Sequence, residues 1–188
     1  MPRSESRRRA IQAAALLFQQ YGYAATGVAE IIERSGTPKG SFYFNFPGGK
    51  EELGVEALGH AGQQLATGIG HLATAAASPA QFLRSLAASM AAALKASDYT
   101  LGCPIATVAL ETATVSEPLR RTAEAQFAAW EQAIARGFAG GRRPSRRDRS
   151  QAALVLVMLE GALLMSRVKR TTAPLRSLEP ALQALLEP

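Results

Sequence analysis

Several scarcities narrow the reading before any motif is found. Cysteine occurs once, at Cys103. A single thiol excludes an intrachain disulfide, which suits a reducing cytosol, and it excludes a thiolate zinc cluster. Histidine occurs twice, at His60 and His71. Glu56 and His60 are four apart on one helix face, but His71 lies three turns on, so the spacing argues against a metal site. Aromatic residues make up 6% of the chain, and no stretch alternates apolar and polar residues for long, which argues against a sheet. Long apolar runs are missing as well. The most apolar window, residues 152–159, is far short of the roughly 20 residues that cross a bilayer. Arg7, Arg8 and Arg9 precede a mildly apolar run, but Gln12, Gln19 and Gln20 break it and it is helically periodic, so we do not expect a signal peptide. No nucleophile elbow, phosphate loop or HExxH pattern occurs. These absences lead us to expect a soluble, cytoplasmic protein that is not an enzyme, holds no metal or cofactor, and does not enter a membrane.

What is present is alanine and leucine, in a chain of 188 residues that is 47% hydrophobic. That mix favours an all-α protein with small-residue contacts between helices. The net charge is +6, which fits a nucleic-acid partner. Its distribution is more telling. Residues 1–50 carry seven basic side chains (Arg3, Arg7, Arg8, Arg9, Arg34, Lys39, Lys50) against Glu5, Glu30 and Glu33, a net +4 in about a quarter of the chain.

The stretch 26–50 organises the rest. Thr26 is a good N-cap. Val28, Ile31 and Ile32 then give a short helix one apolar stripe, and Gly36 ends it, because a residue tolerant of positive φ turns the chain cheaply. Thr37 reads as the cap of a second helix with Pro38 at its first position. Phe42 and Phe46 are four apart and should point inward. Lys39 with Tyr43, and Ser41 with Asn45, form two other rows able to bond phosphates or base edges. Gly40 has no side chain to keep a duplex away. Two helices joined by a short turn containing Gly make a helix-turn-helix.

The run Thr26…Ala29…Ile32…Ser35-Gly36…Lys39-Gly40-Ser41-Phe42-Tyr43…Phe46…Lys50-Glu51…Leu53 resembles the DNA-binding domain of the TetR family of bacterial transcriptional regulators. Pro47-Gly48-Gly49 before Lys50, and the later GCPIATVALE run from Gly102, are similar to the LmrA/YxaF-like subgroup. Two positions depart from the usual pattern: Ser35 stands where Ala is common, and Asn45 where His or Tyr is. The resemblance implies a three-helix DNA-binding domain at residues 4–64, with the motif at 27–46, and a ligand-binding and dimerisation domain at 65–188. About nine helices are expected in all. It implies DNA contacts at Thr26, Thr37, Pro38, Lys39, Gly40, Ser41, Tyr43, Asn45 and Lys50, with Lys39 and Ser41 at base edges.

The remaining pattern is helical. Ile11, Ala14, Ala15 and Phe18 mark a first helix over 4–21. A long helix spans about 49–77 and holds Gly54, Gly59, Gly62, Gly68 and Gly70, which either allow close packing or leave the rod easily bent. Further helices fall at 79 onward, 105–112, 117–138, 145–169 and 175–186. Arg142, Arg143, Arg146, Arg147 and Arg149 form a second basic cluster that reads as a solvated loop. Met90, Leu94, Cys103, Phe127, Trp130 and Met158 are the candidates for a ligand pocket, and Cys103 ahead of a helix leaves a redox role open. The helix over 145–169 is apolar nearly all round, so most of its sides must be covered. Leu154, Met158, Gly161, Ala162 and Leu182 are therefore candidates for a dimer interface, which the resemblance also implies. The function expected is a ligand-responsive homodimer, a repressor that leaves an inverted-repeat operator in double-stranded DNA when it binds a small apolar or aromatic inducer. Flavonoids or other planar compounds are what the subgroup resemblance suggests. A helical sensor with degenerate DNA binding is the competing reading.

Overall fold

The computed structural model describes residues 3–186; residues 187–188 of the expected second domain lie outside them. Ten helices occur among the described residues and no strands. They are α1 (Arg3–Tyr21), α2 (Val28–Ser35), α3 (Lys39–Asn45), α4 (Gly49–Ala75), α5 (Pro79–Ala96), α6 (Pro104–Thr112), α7 (Glu117–Ala139), α8 (Arg146–Lys169), α9 (Ala173–Ser177) and α10 (Glu179–Ala184). The last two replace the single terminal helix that the sequence suggests. Pro180 removes one backbone donor at this point, which favours a restart over a continuous helix.

The chain divides into two compact units. The first comprises residues 1–63 and 104–126, the second residues 64–103 and 127–188. The first unit thus holds more than the expected 4–64, because α6 packs on α1 and brings the start of α7 with it. Its core includes Phe18, Ile31, Phe42, Phe46, Leu53, Ile105 and Leu119, all 2% exposed or less. Burying each such side chain contributes roughly 1.5–3 kcal/mol.

Specific bonds fasten α6 and α7 within this unit. The Glu111 carboxylate accepts from the Ala24 N–H at 2.6 Å, and the Ser116 hydroxyl donates to Glu51 at 2.6 Å. Gly22 lies between α1 and α2 with φ +90°, and a Cβ there would stand 2.1 Å from the Glu111 oxygen. The positive φ favours glycine at that position, and a side chain there would also push the Glu111 carboxylate away from Ala24.

The α4 glycines divide into two kinds. A Cβ at Gly54 would meet Leu119 and Tyr23 at 3.0 Å, and one at Gly62 would meet Gln126 at 2.3 Å. Gly59, Gly68 and Gly70 have nothing within 4 Å, so close packing explains only the first two.

The second unit is built on Phe82, Leu83, Trp130, Ile134, Leu159 and Leu175, each nearly or fully buried. Phe82 meets Phe138 edge-on at 6.2 Å, and a Cβ at Gly137 would strike the Phe82 ring at 2.4 Å. Ser145 and Asp148 start α8 with a reciprocal capping box. Arg142 grips the same carboxylate through two bonds of 2.5 and 2.8 Å. Arg146, Arg147 and Arg149 thus lie in the first turn of α8 rather than in the loop, while all five arginines of the second basic cluster are exposed, as expected. At 24 residues, α8 is long and apolar enough by length and composition to cross a membrane, which the 152–159 window alone did not suggest. Its inner side, with Val155, Leu159 and Leu163, belongs to the core of this unit.

Candidate nucleic-acid interface

In the turn between α2 and α3, Gly36 takes φ +61° and its N–H reaches the Glu33 carbonyl, while the Thr37 N–H reaches that of Ile32. These two bonds close the helix end in the manner of a Schellman motif. α3 then leaves at an angle set by Phe42 and Phe46, both 0% exposed, with ring centroids 5.4 Å apart. The Arg7 guanidinium covers the Phe46 ring at 5.6 Å and pairs with Glu56. Arg7 is thus a structural cation. Arg8 pairs with Glu5 at 2.7 Å on the surface, and Arg9 lies against Gly36.

With its two phenylalanines held inward, α3 presents Pro38, Lys39, Gly40 and Tyr43 to solvent, with Ser41 half-exposed. Phe44, which the sequence reading passed over, is 65% exposed beside Tyr43 at 50%. Its position four residues after Gly40 was the available signal, since residues four apart share a helix face.

Three expected contact residues are corrected by burial. Thr26 is 0% exposed; it does not cap α2, whose N-cap is Gly27, and its hydroxyl donates to the Gly22 carbonyl at 2.8 Å. Thr37 is buried and donates to the Ser6 carbonyl at 3.3 Å, leaving Pro38 as the N-cap of α3. Asn45 is buried as well. None of these side chains is offered to a duplex; the first two tie the turn to its own unit. Lys50 is half-buried, with its ammonium 4.3 Å from the centre of the Tyr23 ring. Burial there pulls it below the usual lysine range, and the Glu111 carboxylate opposes that shift.

The expected ligand and dimer residues lie in the second unit. Leu94, Cys103 and Trp130 are buried; Met90, Phe127 and Met158 are half-buried. Phe127 meets Trp130 edge-on at 5.4 Å. Glu160, also passed over, bonds to Cys103, and burial pushes its carboxyl above the usual range. Among the described residues, no group of three or more His, Cys, Asp or Glu could hold a metal, and Glu56 is taken by Arg7. On α8, Leu154, Val157, Leu164, Met165 and Val168 are 45–73% exposed, with Gly161 open among them. Ala162 and Leu182 face inward at 7% and 2%, so both are corrected from interface to core.

A family model for bacterial regulatory proteins of the tetR family matches residues 10–57, and one for the C-terminal domain of LmrA/YxaF-like transcriptional regulators matches residues 79–180. The chain is 30% identical to the HTH-type transcriptional regulator LmrA of Bacillus subtilis over the full length of both. It is 32% identical to the HTH-type regulator YxaF of the same organism, covering 92% of this chain and 91% of that one. The regulatory protein TetR from Rhodobacter sphaeroides has the same fold, with a TM-score of 0.83 at 19% identity, over 95% of this chain and 97% of the other. The helix-turn-helix closed by Gly36 and the helical unit that follows therefore place this chain in the TetR family of transcriptional regulators, with an LmrA/YxaF-like C-terminal domain.

Proposed function

We propose that the chain acts as a homodimeric repressor, released from an inverted-repeat operator when a small apolar or aromatic molecule binds its second unit. The observation that carries this reading is the exposed face of α3. Lys39, Gly40 and Tyr43 stand outward on a helix anchored by Phe42 and Phe46. In this reading Lys39 bonds a base edge, Tyr43 a phosphate, and Phe44 the methyl group of a thymine. Ser41 is a second base-edge donor. Lys50 would have to leave the Tyr23 ring to reach a phosphate.

The exposed apolar stripe of α8 supports the dimer. Val157, Gly161, Leu164 and Val168 follow a spacing of four, three and four, which is one helix face. Gly161 leaves room for a partner helix to come close. Two copies would place two α3 helices in major grooves about one helical turn or more apart. Phe127, Trp130, Met90, Leu94, Cys103 and Met158 supply the apolar surroundings for an inducer, and Glu160 a half-buried hydrogen-bonding group.

The test is binding to inverted-repeat DNA across salt concentrations. A repressor of this kind loses affinity steeply and log-linearly as salt rises. A helical sensor without DNA recognition shows weak binding with no preference between symmetric and scrambled sites.

A further inference from the structure

We propose that the groove between α5 and the α9–α10 segment is a ligand site for an amphipathic monoanion, a medium-chain aliphatic carboxylate. The groove holds about 270 Å³, just below the usual range of small-molecule sites. It shares no residue with the expected inducer pocket and does not depend on the repressor reading.

The groove exists because α5 is poor in bulk on this side. Ala87 and Ala91 line it, one turn apart, where leucine side chains would fill the space. Leu83, Leu175 and Leu182 are 1–2% exposed and close the apolar floor. The charges sit on the walls. Arg84 is exposed, and Arg176 is held in place by a 2.8 Å bond from its guanidinium to the Thr172 hydroxyl. Among the described residues Glu179 is the one acid lining the groove, and its carboxylate accepts from the Gln183 amide at 3.4 Å. Two guanidiniums against that carboxylate leave the described walls net positive.

That combination selects by chemistry. Apolar carbons fit the alanine and leucine floor, and a carboxylate can take two parallel bonds from a guanidinium. An alkyl cation of the same length meets repulsion, and a neutral alcohol leaves the arginines unused. Because Arg176 is already oriented by Thr172, less ordering is needed on binding. An occupant bridging α5 to α9–α10 also raises the stability of the folded chain by mass action.

The experiment is calorimetric titration of the full chain with decanoate, decylamine and decanol below their aggregation limits, with melting temperature as a second readout. Decanoate should bind once per chain and raise the melting temperature, at least tenfold more tightly than either analogue. Arg84→Glu, a change at an exposed position, should weaken decanoate at least tenfold. Ala88→Trp, at another exposed lining position, should block it while the helical circular dichroism stays unchanged. Equal binding of all three probes, undiminished binding to both variants, or no decanoate binding at millimolar concentration would overturn the assignment.

Discussion

α3 and α8 both show solvent a face that their own packing does not require, and the two faces have opposite chemistry. α3 is seven residues long and fixed by two buried phenylalanines; it displays a lysine, a bare glycine and a phenol, with Phe44 the one large apolar side chain beside them. α8 is 24 residues long and displays Leu154, Val157, Leu164, Met165 and Val168. A short polar helix held rigidly suits a hydrated, charged partner whose groove admits one helix. A long apolar stripe suits a partner as apolar as itself, because contiguous exposed apolar area marks a protein interface. If the two faces serve these two partners, they should separate in one direction: loss of the α3 face leaves the oligomer intact, whereas loss of the α8 contact also removes paired half-site reading.

The largest separation should come from Phe42→Ala. Emptying that buried site costs about 3–5 kcal/mol, enough to loosen α3 from the first unit. Urea denaturation should show the loss, and DNA binding should disappear while sedimentation still reports the same oligomer. Next is Val157→Asp on the other face. Like charges brought together across a twofold contact cost several kcal/mol, so sedimentation should show monomers, and helical circular dichroism should be unchanged. Lys39→Ala comes third: losing one base-edge partner removes about 1–3 kcal/mol of sequence discrimination. Competition between specific and scrambled DNA measures it, and the oligomer should be untouched.

Asp148→Asn tests the start of α8. The Arg142 guanidinium, with help from Ser145, holds the Asp148 carboxyl below the usual carboxylate range against the opposing effect of burial. A depressed folded-state pKa stabilises the protein above the unfolded value near 4 and loses that stability as pH falls through the folded value. Melting temperature measured from pH 5 down to pH 2 should therefore fall more steeply for the parent than for Asp148→Asn. The smallest effect belongs to Gly59→Ala and Gly68→Ala, which have open space for a methyl. Each should stabilise α4 by up to about 1 kcal/mol. If bending of α4 matters to release from DNA, the double variant will also respond less to inducer; an unchanged response assigns these glycines no such role.

Much of this was legible in the sequence because helix signals are local. Caps, prolines and three-to-four spacing placed the first eight helices to within a few residues, and the inward direction of Phe42 and Phe46 followed from their spacing. What was not legible depended on neighbours. Thr26 and Thr37 read as helix caps and, with Asn45, as DNA contacts, yet Thr26 and Thr37 are spent on the Gly22 and Ser6 carbonyls and all three are buried. Lys50 read as a phosphate arm, but Tyr23 offers it a ring. On α8 the difficulty was phase. A helix apolar nearly all round has no periodic contrast to say which side faces out, so Ala162 was assigned to the face that Gly161 occupies.

The most direct test of the central claim is selection of bound sites from randomised double-stranded DNA by the full chain, followed by sequencing. A dimeric repressor should select an inverted repeat whose half-sites lie about a helical turn or more apart, and Lys39→Ala should lose base preference within each half-site. Recovered sequences without twofold symmetry, or an inverted repeat read equally well by Lys39→Ala, would contradict it.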